Sequence, residues 1–258
     1  MAAIISGEFL PNNAQWAVTG EDEAQTALKT LENTNNKPRG WVIVRSTATT
    51  PVLCLSQLLI KLAEASCDID LRLLDSFWSH YPPPPDISHN RMGSFLRSGH
   101  GCKLRLFYGH LEAAALQSMP ALKYIGLRLE SATDVEVVNS AKCRYRAAAV
   151  SRNLKPEDIT QRLTSGANLH CVDLEDGEVP WLLAVAEKLL TTDGRGHLYL
   201  PVCRLTSAGV RQLIKSVNTG ILGVYLQSSS LTPTHREQLE VLAREKNKRL
   251  HWELRGWF

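Results

Sequence analysis

No stretch of this 258-residue chain is apolar for long enough to cross a bilayer. The densest run, Trp181 to Ala186, falls far short of the ~20 residues that a membrane-spanning helix needs. Neither sign of charge prevails. Lys and Arg number 29 and Asp and Glu 26, a formal net charge of +3, which is too even to make nucleic acid or an anionic membrane surface the default partner. At 44% hydrophobic and 21% charged residues, with a mean hydropathy of −0.15, the composition excludes a disordered chain and a collagen-like repeat. The opening residues, Met1 to Gln15, lack a basic stretch followed by an apolar core and do not read as a secretory signal. The length allows one elongated domain or two small ones.

Paired cysteines are missing too. Cys54, Cys67, Cys102, Cys143, Cys171 and Cys203 lie at least 13 positions apart, with no C-x-x-C among them. Free thiols in a reducing compartment are expected, the cytoplasm first and the nucleus as the alternative, and no four-ligand zinc site. Sequence signatures of catalysis are absent: there is no G-x-S-x-G, no G-x-x-x-x-G-K-[ST] and no H-E-x-x-H. Gly194-Arg195-Gly196 precedes an apolar strand pattern instead of following one, so it is no dinucleotide fingerprint. In Ser98-Gly99-His100-Gly101-Cys102, a Cys and a His so near in sequence rarely face each other as nucleophile and base. His80, His89, His100 and His110 lack helical metal-ligand spacing, and Asp173, Glu175 and Asp176 lack the loop of a calcium hand. The expectation is no enzyme activity, no cofactor and no metal.

What is present is a repeat. His197 to Gly209 reads HLYLPVCRLTSAG and Gly223 to Thr234 reads GVYLQSSSLTPT. Both follow L-x-L-x-x-(C/S)-x-L-T, through Leu198, Leu200, Cys203 and Leu205 and through Val224, Leu226, Ser229 and Leu231, with an offset of 26 residues. Looser copies run through Val42 and Val44, Leu71 and Leu73, Leu104 and Leu106, Ile125 and Leu127, Val172 and Leu174, and Trp252 and Leu254. Taken from the second apolar position of each, the spacings are 29, 33, 21, 47, 26, 26 and 28. The 47 gap predicts one more strand around Cys143 to Ala147. The stretches between predict helices: Val210, Leu213, Ile214 and Val217 form one apolar stripe in Thr206 to Asn218. Thr232 as N-cap with Pro233 behind it opens another to Lys246. Leu53 to Ala65, Lys155 to Leu163 and Val179 to Leu190 complete the helical set.

This frame resembles the strand half of a leucine-rich repeat, of the helix-bearing, ribonuclease-inhibitor-like class. The resemblance implies an α/β solenoid with a curved parallel sheet on its concave side and helices on its convex side. It covers roughly residues 41–254, as about seven to nine irregular units in a domain of 41–258. Residues 1–40 are expected to cap the first repeat, with a short helix from Glu21 to Asn33, the alternative being a loose N-terminal tail. Pro82 to Pro85 place a stiff loop over His80 to Arg91.

In this family the residues that point outward from the strands line the concave side. Carried over, they are Arg72 and Asp75; Arg105, Phe107 and Tyr108; Arg128; Asp173, Glu175 and Asp176; Tyr199; Tyr225 and Gln227; and Glu253 and Arg255. Arg and Tyr are enriched at binding hot spots. The expected function is a non-catalytic interaction module or adaptor that holds a protein partner on this face. No nucleic acid and no membrane span are expected. The alternative is a regulator of a partner enzyme, such as a GTPase activator or a substrate-receptor subunit.

Overall fold

The computed structural model describes residues 14–32, 40–47, 49–74, 77, 87–111, 113–141, 143, 145–164, 167–191, 196–217 and 221–252. They fall into two compact units. The first draws on Phe9–Arg128 and Ser140–Tyr145, the second on Leu129–Asn139 and Arg146–Phe258. Both are α/β, and every strand pairing in them is parallel. Among the described residues no helix is long and apolar enough to cross a membrane. None of the six cysteines is in a disulfide; Cys67, Cys143, Cys171 and Cys203 are buried and Cys102 is exposed.

The first unit runs β1 (Ala14–Thr19), α1 (Glu21–Glu32), β2 (Trp41–Ser46), α2 (Leu55–Glu64), β3 (Asp68–Leu73), α3 (Ile87–Arg97), β4 (Leu104–Gly109), the single turn α4 (Ala113–Leu116) and β5 (Tyr124–Leu129). Each strand pairs with the next in sequence. Right-handed crossovers that always step the same way leave the helices on one face of the sheet, and α1 touches α2, which touches α3. Val18, Val44, Leu71, Phe107 and Ile125 share one register row, and all five are buried. The sheet therefore begins earlier than the repeat frame suggests: β1 pairs with β2 inside the region expected to be a cap. The expected helix after it is α1. Its Glu21 carboxylate accepts the amides of Leu53 (2.6 Å) and Cys54 (3.2 Å) and so caps the start of α2. The stretch expected as a loop up to Arg91 is helical from Ile87 onward. The four prolines lie outside the described residues.

The second unit runs α5 (Ala132–Ser140), β6 (Tyr145–Val150), β7 (Asn168–His170), α6 (Val179–Leu189), β8 (Gly196–Cys203), α7 (Ser207–Ser216), β9 (Ile221–Ser228), α8 (Pro233–Glu245) and β10 (Arg249–His251). Ala148, Leu169, Leu198, Val224 and Leu250 share a register row. The extra strand in the long gap is β6, a few residues beyond Cys143. The next frame slips: the core position is Leu169, three residues before Val172, because β7 ends at His170 and the chain turns there. The final frame slips likewise, to Leu250 in place of Trp252. Helices α7 and α8 start as expected. Thr206 accepts the Ala208 amide (3.2 Å), and Thr232, with Pro233 next to it, accepts that of His235 (3.3 Å). Their stripes, Val210, Leu213 and Ile214 and then Leu239, Leu242 and Ala243, are buried. The helix expected over Lys155 to Leu163 is only a 3-10 turn, Pro156–Asp158. Behind its acidic start Ile159 and Leu163 are buried, but Leu163 donates its amide to Leu189 O (2.7 Å) instead of to its own turn.

A bulge separates β8 from β9. Leu200 pairs with Leu226 but Cys203 with Ser228, so Pro201 and Val202 face the single residue Gln227. The buried polar side chain at the strand exit is consequently Ser228, one residue before the expected Ser229, and its hydroxyl donates to Leu205 O (2.8 Å). Val202 sits at φ 53° and is 53% exposed. A β-branched residue in the left-handed region is strained, and this one recovers little from burial. Replacing Val202 with glycine is therefore expected to raise the unfolding free energy by about 0.5–1 kcal/mol, net of the flexibility that glycine adds to the unfolded chain. Denaturant titration checks this, and a fall in the midpoint at unchanged slope contradicts it.

Candidate interaction face

Opposite the helices, the strands of each unit have a far face, built by their alternate residues. In the first unit that face is locked by its own side chains. Asp70 and Arg72, two apart on β3, point the same way. The Arg72 guanidinium donates from Nε to Oδ1 (3.1 Å) and from Nη2 to Oδ2 (3.0 Å) of Asp70. Asp70 is 0% and Arg72 4% exposed. Arg72 also lies over the Tyr108 ring, 5.8 Å from its centroid. Phe77 meets the same ring edge-on at 5.2 Å. That ring spreads over Gly126 on β5, where any Cβ would come within 2.3 Å of it. Beside them Arg105 donates to Asp68 (2.8 Å), and Arg128 is buried.

One expected member is on the other side. The register between β3 and β4 shifts by one residue, so that Asp70 pairs with Leu106 and Leu71 with Phe107. The shift turns Phe107 into the helix-side core, where it is fully buried, and brings Leu106 to the far face. Strict alternation from Leu104 fails at this bulge. Removing the Asp70 carboxylate takes the bidentate partner from a buried guanidinium. Asp70→Ala is expected to cost about 3 kcal/mol. Asp70→Leu with Arg72→Met, which removes both charges, is expected to cost clearly less, so chemical denaturation of the two variants checks the pairing.

The far face of the second unit is aromatic. His170 (β7), Tyr199 (β8), Tyr225 (β9) and His251 (β10) occupy one register row. Their rings stack in sequence, at 4.7, 4.6 and 4.2 Å between centroids and within 12° of parallel. Those distances follow from the ~4.8 Å between paired strands, which is also a good separation for flat rings. One step along the strands, His197 leans over Gly223, where a Cβ would lie 2.9 Å from Nδ1, and meets Tyr225 edge-on at 5.6 Å. Exposure rises along the ladder. His170 and Tyr199 are buried, His197, Tyr225 and His251 are half-buried, and Gln227 and Arg249 are exposed.

Burial pushes the His170 imidazole down to about 3. Burial also lowers His197, with help from His251 and Arg249, and lowers His251, with help from Arg249. The ladder is therefore neutral at pH 7. Because the folded value of His170 lies below the unfolded one, the unfolded chain binds the extra proton first. Stability then falls as the pH drops through ~6.5 and goes on falling until the pH nears 3, a loss of about 3 kcal/mol between pH 7 and 4. His170→Phe, which keeps a ring in the stack, is expected to flatten that part of the stability–pH curve. An unchanged curve contradicts the assignment.

The three acids expected on the sheet stand elsewhere. With β7 ending at His170, Asp173 (φ 47°), Glu175 and Asp176 lie in the turns that lead to α6. Asp176 accepts the Thr206 amide (2.9 Å) and hydroxyl. It lies against Gly209, where a Cβ would fall 2.0 Å from its Oδ1. Glu175 pairs with Arg204 (2.9 Å). Asp75, Glu253 and Arg255 lie outside the described residues. Two groups of side chains were not picked out from sequence: the three histidines of the far face, and Arg152, which grips Glu178 with two hydrogen bonds (3.0 and 2.9 Å) and lies over Trp181. Arg152 holds the Glu178 carboxyl below its usual range, whereas burial pushes the Cys171 thiol beside it up to about 12. The histidines were legible as the residues that alternate with the buried Leu169 and Leu198 and the half-buried Leu250 once the register is right. Among the described residues no three His, Cys, Asp or Glu side chains converge as a metal site would require.

The chain matches no protein-family model and no curated protein.

Proposed function

We propose that this chain is a leucine-rich-repeat-type solenoid whose far face is concave and holds a protein partner, without chemistry of its own. The observation that carries this reading is the ladder of the second unit. Four stacked rings on four adjacent strands present a pre-ordered aromatic row that becomes accessible toward β10. Side chains already fixed by stacking lose little entropy on docking, and Tyr in such a setting is a common anchor. Sequential parallel strands with helices packed in chain order support the solenoid. The far face of the first unit has the expected arginines and tyrosine, but Arg72, Tyr108 and Arg128 are buried, with Arg72 bonded to Asp70 and lying over Tyr108, and the half-buried Arg105 is tied to Asp68. The reading therefore assigns contact to Tyr225, Gln227 and their exposed neighbours, and scaffold roles to Arg72, Tyr108 and Arg128.

A photo-crosslinking residue at Gln227 is expected to give a discrete adduct in cell extract. The same residue at Val241, exposed on α8, is expected to give none, and Gln227→Glu beside a crosslinking residue at Tyr225 is expected to weaken the adduct while leaving the melting curve in place. Equal labelling from both positions, or none from Gln227, contradicts the reading.

A further inference from the structure

The ionisable groups on the far face of the second unit are one-sided. Besides the tyrosines they are His170, His197, Arg249 and His251, and no described far-face position of β6–β10 carries a carboxylate. Several acids of the adjoining turns and helices are held elsewhere: Glu175 by Arg204, Asp176 by Thr206, Glu178 by Arg152 and Glu240 by the Trp252 indole. Arg249 is exposed, makes no ion pair among the described residues, and disfavours the charged forms of His197 and His251. A carboxylate set beside Arg249 would offset that positive charge and could accept the ring N–H of the neutral His251 or His197.

The rings point to the same kind of ligand. Both faces of Tyr199 and of Tyr225 are occupied by neighbouring rings at 4.2–4.7 Å, so what Tyr225 turns toward solvent is its edge. An aromatic edge is the positive part of the ring quadrupole, and it suits a carboxylate better than it suits a flat base, which needs an open ring face.

We propose that the segment received on this face is an acidic stretch of a partner protein, its carboxylates set against Arg249, His251 and His197 along the Tyr225 edge. The inference rests on the docking reading above and adds the chemistry of the partner. A fluorescein-labelled oligo-glutamate peptide is the probe, read by fluorescence anisotropy, with a single-stranded oligonucleotide and an oligo-lysine peptide as the other arms. The glutamate peptide is expected to bind, and to bind about tenfold more weakly when NaCl is raised from about 0.05 to about 0.3 M. Arg249→Glu is expected to cost at least tenfold. Arg244→Glu, equally exposed but in the last turn of α8, is expected to stay within twofold, and thermal melts of both variants are expected to match the parent.

Equal losses in the two variants, no binding of the glutamate peptide, or tighter binding of the oligonucleotide would each overturn the proposal. The Gln227 crosslink separates the two readings. An adduct that survives Arg249→Glu overturns the acidic partner and leaves docking intact, whereas a parent chain that gives no adduct removes the docking itself.

Discussion

In-register parallel pairing is the constraint on which the rest of this structure depends. A parallel ladder places the same position of each strand side by side about every 4.8 Å. Whatever a repeat puts at one position is therefore multiplied into a row. Apolar residues in one row give the helix-side core through Val18, Val44, Leu71, Phe107 and Ile125. Flat rings in another give the ladder of the second unit. No repeat buries its own apolar face, so each is ordered by its neighbours.

The same rule explains why the two far faces differ. In the first unit, positions two apart on one strand hold opposite charges, and Asp70 and Arg72 close on each other within β3 before any outside group can. A buried bidentate pair of that kind fixes geometry more than it adds stability. In the second unit, matching rows hold rings, which satisfy one another across strands and leave their edges uncovered toward β10. Arg and Tyr, equally suggestive as residue types, thus end up with different roles according to what stands beside them. Residue type nominates a contact surface, but exposure and local pairing decide whether it is available.

Alternation of β and α, the parallel pairing, and the starts of α7 and α8 were legible in the sequence, because leucine spacing and N-cap residues act locally. The extra strand near Cys143 was legible as an overlong gap. What escaped was register. A one-residue bulge in β4 exchanges the sides of Leu106 and Phe107, and another in β8 moves the buried serine from position 229 to 228. Such shifts depend on the neighbouring strand and leave no mark in the strand's own pattern. The strand β7 was missed for a different reason. It has three residues with a single core leucine, and Val172 and Leu174 just beyond it imitate the frame better than the strand does. That slip placed Asp173, Glu175 and Asp176 on the sheet and hid His170 in plain sequence.

Glu21 and Asp176 perform the same task in different repeats: a carboxylate from one repeat takes up the free amides where the next repeat's helix begins. Helix starts secured by a neighbour in this way cannot melt one at a time without cost to the next, since losing the donor of the carboxylate strips the following helix of its cap. Each compact unit should accordingly come apart as a run of linked failures, like a zip drawn from one end, with little tendency to loosen first in the middle.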